Sequence, residues 1–170
     1  MGSTSNASPL AGRPVGLIGL GAMGSGMAGS LRRAGADLHV CDAREGVAER
    51  FAAEGGTASA SPAELAARCE VVISVVVNAA QTESVLFGDG VADRGAAAAM
   101  RAGSVFVMCS TVDPNVSIGF ERRLEASGLL YVDAPISMSA THAKASPSAS
   151  PPRAAPPRPR PPSWRHAARS

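Results

Sequence analysis

Five short aliphatic runs, at residues 15–18, 38–41, 70–77, 104–109 and 129–132, alternate with stretches in which apolar positions return every three or four residues. The first pattern reads as strand and the second as amphipathic helix. Met23, Met27 and Leu31 follow the first run at helical spacing, and Gly35 closes that helix. Val47, Phe51 and Ala52 give a second helix over 45–54 its apolar side, and Gly55-Gly56 stops it. Ser61-Pro62-Ala63-Glu64 combines a capping box with proline at the first helical position, so a third helix starts there and runs to about Arg68. The run at 70–77 is almost uninterrupted and rich in β-branched residues, which predicts a strand buried on both faces of a parallel sheet. Helical stretches follow at 78–90, 96–101 and 114–127, where Glu121-Arg122-Arg123 reads as solvated surface. Strands alternating with helices, without an internal repeat, predict a doubly wound, mainly parallel α/β sheet with right-handed crossovers.

The chemistry concentrates where the first run breaks into glycine. Gly19, Gly21 and Gly24 form G-x-G-x-x-G at a strand-to-helix turn. In this spacing the first glycine permits the tight turn and the second leaves the backbone bare for phosphate oxygens. The third lets the helix pack closely on the strand. Unpaired N–H groups at the helix start then favour an anion. Asp42, 18 residues beyond Gly24, ends the second strand where an acid meets adenosine ribose hydroxyls. Together these features predict a Rossmann-like dinucleotide site using Gly19, Leu20, Gly21, Ala22, Met23, Gly24 and Asp42. Polar residues at the ends of later strands face the same crevice: Asn78 and Gln81 after the third run, and Ser110-Thr111 after the fourth. Asn78 is equally suited to capping a helix.

Charge changes the picture only at the C-terminal end. Residues 1–133 hold ten arginines and 14 acids, a net of −4; residues 134–170 hold Lys144, five arginines and no acid, a net of +6. The globular part therefore carries no signature for nucleic acid. Cys41, Cys69 and Cys109 are odd in number and scattered through apolar contexts, which fits buried thiols in a reducing compartment rather than a disulfide framework or a metal site. No stretch reaches the roughly 18 apolar residues of a membrane span. Residues 1–13 lack the apolar core of a secretory signal and read as a disordered leader, and Asn6 stands where a myristoylation signal wants Ser or Thr. A cytoplasmic location is expected.

Residues 14–137 resemble the 3-hydroxyisobutyrate dehydrogenase group of NAD(P)-dependent β-hydroxyacid dehydrogenases. The likeness rests on Gly-Leu-Ile-Gly-Leu-Gly-Ala-Met-Gly at 16–24, on the run at 70–77, on Ser110-Thr111 and on Val-Asp-Ala-Pro-Ile-Ser at 132–137. Val75-Val76-Val77-Asn78-Ala79-Ala80-Gln81 also resembles the branch that oxidises acid sugars such as L-threonate. The resemblance implies that Val76, Val77, Gln81 and Thr111 line the nicotinamide side and that Ser137 begins the substrate-binding segment. It implies NAD as cofactor through Asp42, with NADP the alternative because Arg44 suits a 2′-phosphate. The group follows its serine with two glycines, but Met138 and Ser139 stand here; it uses a catalytic lysine on a later helix, and the surroundings of the sole lysine, Lys144, do not match. No catalytic residue is therefore transferred. The group's helical second domain and its oligomer interface are expected to be missing, leaving an incomplete sheet with an uncovered edge.

From Met138 onward the pattern changes. Eight of the 13 prolines lie between 147 and 162 among Ala, Ser and Arg, without apolar periodicity, which predicts a disordered tail with polyproline II character. Out-of-frame translation of a GC-rich gene would yield this composition. A polyproline ligand is an alternative, since Arg153, Pro156 and Pro159 fit R-x-x-P-x-x-P, in a scaffold module that recruits a partner. A third reading is nonspecific binding of nucleic acid or anionic surfaces, with Trp164 as a stacking group.

Overall fold

The computed structural model describes residues 8–89 and 95–136, and within them six parallel strands form one sheet. The central strand β1 (Pro14–Ile18) leads through α1 (Ala22–Arg33) to β2 (Asp37–Cys41), and α2 (Val47–Ala52) leads on to β3 (Thr57–Ala58). Next, α3 (Pro62–Ala66) returns the chain across the sheet to β4 (Val71–Ser74). Beyond it lie α4 (Ala79–Phe87), α5 (Gly95–Ala99), β5 (Val105–Met108), α6 (Pro114–Glu125) and β6 (Leu130–Asp133). The order β3-β2-β1-β4-β5-β6 reverses between β1 and β4, the doubly wound, Rossmann-like arrangement expected from the alternation.

Register aligns the strand ends. Ile18 stands beside Cys41 and Ser74, and Ser74 beside Met108, which stands beside Asp133. All the loops that leave these ends therefore emerge along one edge. Below that edge the core divides by face: Leu17, Leu38, Val40, Ala28 and Ala48 pack beneath α1 and α2. Leu65, Val72, Leu86, Phe106, Phe120 and Leu124 form the larger cluster with α3 to α6. Helix starts are fixed by side chains. Ser61 Oγ accepts from Glu64 N–H at 3.1 Å while Glu64 Oε2 accepts from Ala60 N–H at 2.9 Å, and Asp113 Oδ1 accepts from Asn115 N–H at 2.8 Å.

Several local expectations are corrected. The strand expected over 70–77 is only four residues long, because its partner β1 ends at Ile18; Val75 N–H makes a last bond to the Ile18 carbonyl and the chain then leaves the sheet. It is not buried on both faces either, since Val71 and Ile73 are only half-buried. Strand β3 has no apolar run to announce it and is added by pairing with His39 and Val40. Within the expected leader, Gly12 N–H bonds the Gly35 carbonyl and the Arg13 carbonyl accepts from Asp37 N–H, both at 2.9 Å. The tail 138–170 lies outside the described residues.

On β6, Leu130 is 56% and Val132 44% exposed, on the same face as half-buried Val105 and Val107 of the neighbouring strand. Replacing both Leu130 and Val132 with Thr, which keeps strand propensity, should reduce concentration-dependent association in light scattering. Urea stability should change by no more than about 1 kcal/mol.

Candidate functional site

The glycine turn is built by close approach. At Gly19, φ is 97°, and a Cβ there would overlap the Val75 carbonyl oxygen. A Cβ on Gly24 would overlap the Gly19 carbonyl oxygen, whereas one on Gly21 would meet nothing within 4 Å. Two glycines thus allow backbone to touch backbone, and the third opens the surface above them. Gly21 is the N-cap of α1 and supplies no side-chain cap, so the first-turn N–H groups remain directed outward. That turn carries no acid, and Arg32 and Arg33 sit at the other end of the helix, a charge layout that keeps the N-terminus receptive to an anion.

Two cavities meet at this turn. The larger, about 600 Å³, is lined by Gly19, Asp42, Ala43, Arg44, Ala60, Pro62, Gln81 and others. The smaller, about 300 Å³, is lined by Ala22, Met23, Gly24, Cys109, Ser110, Thr111 and Ile136. Gly21, Val75, Val76 and Val77 line both, so the cavities are two lobes of one groove. The structure therefore gathers every expected cofactor residue around the groove except Leu20. Its side chain is buried in the core and only its N–H faces Asp42. Ser137 lies outside the described residues.

Asp42 is the most constrained group in the larger lobe. Its Oδ2 accepts from Leu20 N–H at 2.7 Å, tying the end of β2 to the glycine turn. Arg44 grips both oxygens, with Nε 2.9 Å from Oδ1 and Nη2 3.0 Å from Oδ2, and its N–H adds a further bond to Oδ1 at 2.9 Å. The Arg44 side-chain bonds, opposed by burial and aided by the two backbone N–H groups, pull the Asp42 carboxyl down to about 2.

The wall shared by the lobes hangs on a set of bonds that the motifs did not announce. Asn78 proves to be a cap: its Oδ1 accepts from Gln81 N–H at 3.0 Å. Gln81 Oε1 accepts from Val77 N–H at 2.9 Å, so this side chain holds the loop as well as lining the groove. Buried Ser110 donates to the Val76 carbonyl at 2.7 Å and lies 3.2 Å from the hydroxyl of buried Thr82. Of the pair Ser110-Thr111, only Thr111 is exposed. Val77 is held out at 80% exposure, an apolar surface facing the groove.

Burial drives the Cys69 thiol up to about 12 and also raises that of Cys109, so neither is a nucleophile near neutrality. Among the described residues no cluster of His, Cys, Asp and Glu could hold a metal ion, and no helix is long and apolar enough to cross a membrane.

A family profile for the NAD binding domain of 6-phosphogluconate dehydrogenase matches residues 14–151. The chain belongs to this family of NAD-binding domains. Its relatives include the β-hydroxyacid dehydrogenases expected from the motifs. L-threonate dehydrogenase of Cupriavidus necator is 53% identical over 77% of this NAD-binding domain chain and 43% of its own length. Mitochondrial 3-hydroxyisobutyrate dehydrogenase of Drosophila melanogaster is 32% identical over 72% of this chain and 36% of its own. The crystal structure of 3-hydroxyisobutyrate dehydrogenase from Salmonella typhimurium superposes with a TM-score of 0.68 at 36% identity, covering 75% of this chain and 43% of that one. The chain thus spans about two fifths of these relatives.

Two outcomes are expected for this NAD-binding domain. The stability that ionised Asp42 contributes is fully present above the ordinary value of 3.8 and is lost as pH falls through about 2. Asp42→Asn should flatten that part of the acid dependence in urea titrations across this range. Ser110→Ala strips the Val76 carbonyl of its donor and should cost about 1–3 kcal/mol by the same method, with faster hydrogen exchange at the Val77 amide.

Proposed function

We propose that the groove holds a nicotinamide dinucleotide lengthwise, with the pyrophosphate over Gly19, Leu20, Gly21, Ala22, Met23 and Gly24. In this reading the adenosine half lies in the larger lobe, beside Asp42, and the nicotinamide half lies in the smaller one, against Val76, Val77 and Thr111, with Gln81 at the wall between. The observation that carries the proposal is the joining of two lobes, about 600 and 300 Å³, across a side-chain-free Gly21 at a helix N-terminus. A dinucleotide has two nucleoside halves bridged by an anion, and the groove has the same three parts.

The nicotinamide, when bound, supplies hydride chemistry, and the chain supplies placement and electrostatics. Val77, exposed and apolar, offers a face for a flat ring, and the Ser110 and Gln81 bonds fix its height. The proposed reaction is hydride transfer between the nicotinamide and a 3-hydroxy acid or acid sugar, with Ser137 contacting the substrate. The 53% identity to L-threonate dehydrogenase favours a four-carbon acid sugar over a branched acid. Cytoplasmic location is part of the same reading, since buried Cys69 and Cys109 suit a reducing compartment.

We also infer that the chain by itself binds cofactor without turning over substrate, because it spans 43% of that relative and no lysine stands among the described residues that line the groove. Calorimetric titration of the pure chain should show saturable dinucleotide binding, and assays with L-threonate or 3-hydroxyisobutyrate should show no rise in the absorbance of the reduced nicotinamide ring. Turnover of either acid would overturn the second inference. Absence of any dinucleotide binding would overturn the first.

A further inference from the structure

Thr111 and Ile136 reach the smaller lobe from two different loops, one between β5 and α6 and the other after β6. Three side chains that line neither lobe join the elements carrying those loops. Ser117 is buried near the start of α6, where its N–H bonds the Asp113 carbonyl at 3.1 Å, and Tyr131 and Asp133 project from one face of β6. The Asp133 carboxylate only accepts, so Ser117 spends its single hydroxyl proton there at 2.6 Å, the length of a charge-assisted bond. The 2.9 Å contact between the Ser117 and Tyr131 oxygens then has only the phenol proton to make it. Met108 Sδ, a weak acceptor 3.2 Å from the same phenol, is the lesser competitor. Burial raises the Tyr131 hydroxyl, opposed by the Ser117 bond and reinforced by Asp133 and Glu121, so the phenol holds its proton near neutrality. The bonds thus run one way, from Tyr131 to Ser117 to Asp133. After Asp133 the backbone has few holds of its own. Ala134 N–H bonds the Met108 carbonyl at 2.8 Å, Pro135 has no N–H to offer, and Ile136 N–H reaches the Cys109 carbonyl only at 3.3 Å. The Asp133 side chain is therefore a main anchor of the segment that brings Ile136 to the lobe.

We propose that Tyr131, Ser117 and Asp133 are positioning residues for the nicotinamide half of the groove: by tying α6 to the end of β6 they hold Thr111 and Ile136 at a fixed separation in the smaller lobe. The adenosine half, built on β1, β2 and the glycine turn, takes nothing from them. This rests on the groove being a dinucleotide site.

The test titrates the full chain and its Ser117→Ala, Ser117→Thr and Tyr131→Phe variants, after thermal melts show each one folded. NADH binding is followed by the emission of the reduced ring, and binding of ADP-ribose, which lacks the nicotinamide, by calorimetry. Ser117→Ala and Tyr131→Phe should weaken NADH by about fivefold or more, the scale of one lost hydrogen bond, while ADP-ribose changes by less than about twofold. The emission of the bound ring should fall in both. Ser117→Thr keeps the hydroxyl and should restore both NADH readouts. Loss confined to NADH is the decisive result, because a merely structural defect weakens both ligands together. Parallel weakening, or NADH affinity and emission unchanged in the folded variants, overturns the inference while leaving the groove a dinucleotide site. If neither Ser117→Ala nor Tyr131→Phe folds, the cluster is a requirement of the fold rather than of the lobe, and the inference is overturned as well. No binding of either ligand by the folded wild type overturns both readings.

Discussion

The contact on which the rest depends is the meeting of Gly24 with the carbonyl of Gly19. A single methyl group at position 24 would occupy the space of that oxygen, so α1 starts where it does only because nothing projects there. That start aims the helix N-terminus at the edge where β1, β2 and β4 end abreast, and it leaves Gly21 as bare floor. The Leu20 N–H, freed by the same turn, reaches Asp42 and fixes the end of β2 beside it. Larger lobe, acid and shared wall all take their positions from one excluded side chain.

This part of the site was legible in the sequence because glycine spacing and strand-to-helix order encode it locally. Asp42 followed from its place at the end of the second strand. The companion bonds could not be read in the same way. Ser110 and Thr82 stand 28 residues apart, and their meeting depends on β4 and β5 lying side by side. Arg44 was visible as a charge two residues from Asp42, but its grip on both carboxylate oxygens is a matter of angles and distances.

The fold was legible where periodicity was strong. Helices α1 and α6 and the central strands follow from apolar spacing, and the doubly wound, parallel class of the sheet follows from their alternation. Errors fell where partners rather than propensity set the limits. The valines after Ser74 favour a strand, yet β1 offers nothing beyond Ile18 for them to pair with. Thr57 and Ala58 form no apolar run, yet β2 recruits them. Asn78 was suited to two roles, and the N–H of Gln81 selects the capping one.

The segment after β4 has a further consequence. Its backbone is fastened from both sides, the Val76 carbonyl to Ser110 and the Val77 N–H to Gln81. An exposed valine on such a segment is not a flap that closes over a ligand but a fixed buttress. Association against it requires little loop ordering, so the conformational entropy of this wall has been lost already, during folding.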